Sequence, residues 1–126
     1  MRETVLSDNA PRPSGPFSQG IITSGRQLWI SGQVGSDPKT KKVVPGGIEE
    51  QAVQVFENVK AIAEAGGGSL QKAIRVGVYL TDIANWAQMN EIYKRYFSEP
   101  FPVRTTISCG LVSPYLIEVD AVIALD

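Results

Sequence analysis

Val103-Arg104-Thr105-Thr106-Ile107-Ser108-Cys109 and Leu116-Ile117-Glu118-Val119-Asp120-Ala121-Val122-Ile123-Ala124-Leu125 decide the fold. Side chains on a strand alternate between two faces. Ile117, Val119, Ala121, Ile123 and Leu125 therefore make one unbroken apolar face, while Leu116, Glu118, Asp120, Val122 and Ala124 make a mixed one. In the stretch before it, Arg104, Thr106 and Ser108 alternate with Val103, Thr105, Ile107 and Cys109. Outward from this pair, Ala73 to Leu80 predicts another strand, with Ile74, Val76, Val78 and Leu80 on one face and Ala73, Arg75, Gly77 and Tyr79 on the other. Two helices are predicted. Ile48 to Ala65 carries Ile48, Ala52, Val55, Phe56, Val59, Ile62 and Ala63 on one stripe and is stopped by Gly66-Gly67-Gly68. Asn85 to Phe97 carries Trp86, Met89, Tyr93 and Phe97, with Asn85 and Gln88 spaced as a capping box. Short strands are expected over Arg2–Leu6, Phe17–Thr23 and Leu28–Ser31, with a hairpin turn at Ser24-Gly25-Arg26 and a stiff proline-rich loop over Ser7–Pro16.

This order is α+β. Two helices cover one face of the sheet. The other, mixed face would leave Val122 and Tyr79 bare, so it is expected to pack on another subunit. The length of 126 residues fits one domain, 1–126. A net charge of −1 gives no basic surplus for nucleic acid. No apolar run is long enough for a membrane span. Met1 to Ala10 holds Glu3 and Asp8 and no apolar leader core, so a cytoplasmic location is expected.

The chain has no histidine, which removes triad chemistry and most zinc or iron sites. Its one cysteine, Cys109, shares a face with Val103 and Ile107 and is expected in the core rather than as a nucleophile. Arg104, aimed from a strand, suits a carboxylate held bidentately or an ion pair across an interface. Glu118, between two apolar neighbours, needs a partner or a task. It either positions and deprotonates a water or pairs with an arginine, Arg104 included. Asp120 reads as a structural or interface charge, and Thr106 points the same way as Arg104 and can share its hydrogen bonding. Gly66-Gly67-Gly68 follows a helix rather than opening one and is no phosphate loop. Lys39, Lys41 and Lys42 read as a solvated loop tip.

Along its whole length the chain resembles the RidA (YjgF-like) family of reactive imine and enamine deaminases. The matching landmarks include Gly15-Pro16-Phe17-Ser18-Gln19, Ile30-Ser31-Gly32-Gln33, Tyr79-Leu80-Thr81-Asp82, Met89-Asn90-Glu91-Ile92-Tyr93, Phe101-Pro102-Val103-Arg104-Thr105 and Glu118-Val119-Asp120-Ala121. The resemblance implies a chorismate-mutase-like mixed sheet with two helices on one face. It further implies a homotrimeric barrel with ligand clefts between subunits, and no cofactor or metal. The implied activity is hydrolysis of 2-aminoacrylate and related 2-imino acids to 2-keto acids and ammonia. Arg104 matches the carboxylate-gripping arginine and Glu118 the water-orienting glutamate. Phe17, Gly32, Asn90 and Thr106 match substrate-binding positions. Phe17 stands where the family often has tyrosine, and the segment from Arg104 to Glu118 is about one residue shorter than usual. Two alternatives stand beside this expectation: a deaminase of a larger, aminomuconate-like enamine acid, and a trimer that binds small carboxylates without catalysis.

Overall fold

The structure is a computed structural model and describes residues 2–126. Met1, the first residue of the segment read above for a leader, lies outside them. The chain runs β1 (Arg2–Val5), β2 (Gly20–Thr23), β3 (Gln27–Val34), α1 (Ile48–Ala65), β4 (Ala73–Leu80), α2 (Trp86–Tyr93), β5 (Val103–Ser108) and β6 (Ile117–Ala124). The main sheet has the order β3-β6-β4-β5, with β4 and β5 parallel and the other pairs antiparallel. The parallel pair needs a crossover, and α2 supplies it. The α+β class and the two-helix layer expected from the sequence hold.

The apolar face of β6 meets α1. Ala52, Val55, Phe56, Val59 and Ala63 pack with Val76, Val78, Leu80, Ile117, Val119, Ala121 and Ile123 in one core, which α2 extends with Met89, Ile92 and Tyr93. At the start of α1, Glu50 Oε1 accepts from the Gly47 N–H at 2.8 Å, and Glu49 and Glu50 face the positive end of the helix. At its end Gly67 takes φ +87°, which lets the Gly68 N–H reach back to the Ala63 carbonyl at 2.9 Å.

Four local expectations are corrected. First, Ser24-Gly25-Arg26 is a turn but not a hairpin: β2 pairs with β1, and β3 with β6. The β1–β2 ribbon folds over the second sheet face, where Ile21 covers Ile74, Val122 and Ala124. Val122 is thus buried within the chain, and only the rest of that face is open. Second, a register shift between Ala73 and Arg75 turns Ala73 into the main core and Ile74 to the opposite side; a bulge inserts one residue and flips the alternation. Third, α2 is shorter than expected. It is preceded by a 3-10 turn over Ile83–Asn85, in which the Asp82 carboxylate accepts from the Ala84 N–H, and the Asn85 side chain makes no capping bond. Fourth, Cys109 is half-buried, just beyond β5, on the face of the exposed Thr105 and Ile107. The parallel register sets Arg104 beside Val76 and Thr106 beside Val78, so the polar face of β5 turns toward the helices.

One polar side chain of α1 is buried to a degree that its stripe did not foretell. Gln51, 3% exposed, donates to the Pro114 carbonyl at 3.1 Å and accepts from the Leu116 N–H at 2.8 Å. It ties the approach to β6 onto α1. Gln51→Leu keeps the bulk and leaves both backbone groups without a partner, which costs about 2 kcal/mol or more. Urea unfolding is expected to show that loss as a lower midpoint at unchanged slope.

Candidate functional site

The site grows from the inward face of β5 and the stripe of α2 above it. Trp86, Asn90 and Tyr93 are spaced so that they share one side of the helix. The Arg104 guanidinium carbon lies 4.8 Å from the Tyr93 ring centre and 5.6 Å from those of Trp86 and Phe17. Phe17 is brought there by the proline-rich loop. Ser18 fixes that loop through its N–H to the Pro102 carbonyl at 3.1 Å and its hydroxyl to the Phe101 carbonyl. Gln19 holds the loop together from within, donating to the carbonyls of Ser7 and Pro11. Tyr93 is fixed from below: it stacks on Phe97 at 4.4 Å and meets Phe56 edge-on at 5.8 Å.

Inside this aromatic box the polar atoms lack partners. Nη1 and Nη2 of Arg104, Oγ1 of Thr106, the Tyr93 hydroxyl and Oδ1 of Asn90 are all buried and make no hydrogen bond among the described residues. No carboxylate pairs with Arg104 among the described residues. Burial pulls the Arg104 guanidinium below its ordinary pKa, and the same burial pushes the Tyr93 phenol up. A planar cation with two free donors, two hydroxyls and an amide oxygen is a fit for a small planar anion that also carries a hydrogen-bonding group. Beside the box runs a groove of about 420 Å³ lined by Gly15, Pro16, Trp86, Asn90, Lys94 and Phe101.

Of the residues expected from the sequence, Arg104 and Phe17 are in contact, Thr106 follows on the same face of β5, and Asn90 lies on the facing helix stripe. Glu118 and Gly32 lie elsewhere. Glu118 stands on the opposite face of the sheet, two strands away across β4, beside Gly32; a Cβ at Gly32 would collide with its carboxylate. Pairing of Glu118 with Arg104 within one chain, left open by the sequence, does not occur. Glu118 has no ion-pair partner among the described residues. Asp120 on the same face is structural, as expected: Arg75 binds it at 2.8 Å and the Tyr79 hydroxyl donates to it at 3.0 Å. Tyr93 and Trp86 were assigned from sequence only to the apolar side of α2. The signal that they wall a site is the polar Asn90 set between them on one stripe.

The profile of the family described as endoribonuclease L-PSP matches residues 7–125. A RutC family protein of Pyrococcus horikoshii is 46% identical over 97% of both chains. The 2-iminobutanoate/2-iminopropanoate deaminase of Dermatophagoides farinae is 30% identical over 99% of this chain and 98% of its own. Among solved structures, RidA from an Antarctic Psychrobacter superposes with TM-score 0.75 at 38% identity, covering 96% of this chain and 98% of that one. TdcF of E. coli with bound serine superposes with TM-score 0.73 at 30% identity, covering 97% and 98%. With these matches along almost its whole length, the chain belongs to the family described as endoribonuclease L-PSP, and its relatives include proteins named RutC, RidA and 2-iminobutanoate/2-iminopropanoate deaminase.

Proposed function

We propose that the chain is a hydrolase of 2-aminoacrylate and related small 2-imino acids, yielding 2-keto acids and ammonia. The observation that carries this reading is the buried Arg104 fork with both terminal nitrogens unpartnered. Such a fork gains most from a carboxylate. The relatives named as imine deaminases and the neighbour solved with serine support the same ligand class.

The chemistry asks little of the protein. Arg104 holds the carboxylate and draws charge from the adjacent carbon. An enamine such as 2-aminoacrylate first moves a proton from its nitrogen to C3 and becomes the imine; a water then adds its oxygen to the imine carbon while its proton goes to the imine nitrogen, giving a carbinolamine. The C–N bond then breaks, the hydroxyl proton passes to the departing nitrogen, and keto acid and ammonia remain. Positioning supplies most of the acceleration for so reactive a substrate.

Glu118 is the water-positioning group in this reading, and a neighbouring copy supplies it. In one chain the sheet separates Glu118 from Arg104. The main sheet has open edges at β5 and β3, and its uncovered face carries Trp29, 73% exposed, and Ile107. A homotrimer that sets the β3 edge of one copy against the β5 edge of the next brings Gly32 and Glu118 to Arg104. It also buries those apolar side chains. The hydrolysis as written draws only on water and on side chains of the protein, and we place the protein in the cytoplasm.

A pyridoxal-phosphate threonine dehydratase fed with serine releases 2-aminoacrylate, which semicarbazide traps. Addition of this protein is expected to suppress the semicarbazone while pyruvate continues to form. An unchanged semicarbazone yield would rule out small-imine hydrolysis. Glu118→Gln is expected to lower the rate at least tenfold, of the order given by a positioned acid–base group, with little change in keto-acid affinity. Equal loss of both would place Glu118 in binding alone. Arg104→Met is expected to abolish keto-acid binding yet leave the unliganded protein as stable as before, because it removes a buried charge that has no partner; a large drop in melting temperature would contradict this. Sedimentation of the wild type is expected to give a trimer, and Ile107→Lys a smaller species.

A further inference from the structure

The reading above assigns the substrate carboxylate to Arg104 and leaves the hydroxyl of Tyr93 without work. Tyr93 is wholly buried, and its hydroxyl has no hydrogen-bond partner among the described residues. Its ring is not loosely placed. Phe97 stacks on one side, Phe56 meets it at an angle of 77°, and Arg104 sits 4.8 Å from its centre. Packing of that kind is served as well by phenylalanine, the residue found in the same cluster at 56 and 97. A buried hydroxyl that binds nothing is a cost the fold could shed by losing one oxygen atom. The guanidinium carbon of Arg104, 4.8 Å from the ring centre, is the nearby charge that acts on the phenol. Burial keeps the phenol protonated across the working pH range, so it is available as a donor.

We propose that Tyr93 is a substrate-binding residue whose hydroxyl donates a hydrogen bond to the acid held by Arg104. A carboxylate accepts about four hydrogen bonds. The fork of Arg104 fills two of these sites, and a third donor fixes the acid against rotation about the axis of the fork. That rotation would otherwise swing the imine carbon away from its water. Thr106, whose hydroxyl is also unpartnered on the same side, then remains for the nitrogen or the water. The proposal rests on the acid-binding reading of Arg104 given above.

The test is calorimetric titration of wild type and Tyr93→Phe with 2-oxobutanoate, together with thermal unfolding of both proteins without ligand. The expected result is affinity weakened about tenfold, the loss typical of one hydrogen bond to a charged group, with an unliganded melting temperature equal to or above that of the wild type. Unchanged affinity would overturn the proposal. So would a lower melting temperature, or failure to fold, because either assigns the hydroxyl a structural partner. Failure of the wild type itself to bind 2-oxobutanoate is a separate outcome: it overturns the reading of Arg104, and the role of Tyr93 with it.

Discussion

Taking a guanidinium out of water without an anion to receive it costs several kcal/mol, and Arg104 is held in that condition. Each aromatic face within about 6 Å returns roughly 0.5–2 kcal/mol, so Phe17, Trp86 and Tyr93 together offset much of that penalty. Much of the local architecture follows from keeping that cation in place. The proline-rich loop is pinned to the entry of β5 so that Phe17 closes one side. The crossover helix lies over β5 so that Trp86 and Tyr93 close the others. Phe56 and Phe97 keep Tyr93 from yielding.

The same constraint explains why β5 is oriented against simple expectation. A strand with Val103, Ile107 and Cys109 on one face and Arg104, Thr106 and Ser108 on the other should turn the apolar set inward. It does the reverse, because β5 is an edge strand in parallel register with β4, and Arg104 and Thr106 fall in line with Val76 and Val78. The core proper is filled by β6, β4 and the two helices, so the edge is free to carry a polar pocket where a central strand could not. The face an edge strand turns inward is set here by its pairing and not by its own alternation.

That is also the boundary of what the sequence made legible. The apolar faces of β6 and α1, the glycine stop after α1 and the α+β order were plain, because each rests on a period that burial enforces. The hairpin at Gly25, the bulge at Ile74 and the place of Cys109 were not. Each depends on which strand finds which partner, and a period of two cannot tell one face from the other until pairing is known. Of the residues around the box, Arg104 drew notice as a charge on a strand, and the resemblance added Phe17, Asn90 and Thr106; Glu118 and Gly32, named in the same way, lie across the sheet. Tyr93 stayed hidden because an aromatic residue on an amphipathic helix is explained by packing alone. Only the lack of a hydrogen-bond partner for its buried hydroxyl distinguishes it.

The strand order β3-β6-β4-β5 carries a consequence for how the molecule is made. β6 is the last of the strands in the chain, yet it lies inside the sheet, zipped to β3 on one side and to β4 on the other. A nascent chain leaving the ribosome can form α1, and the β1–β2 ribbon, but β3 and β4 have no common neighbour until Ala124 has emerged. The sheet therefore waits for β6, and its seam with β3 joins residues some ninety positions apart, a topology that closes slowly. Until then the apolar strands stand open to other chains, and the cell must keep unfinished copies apart.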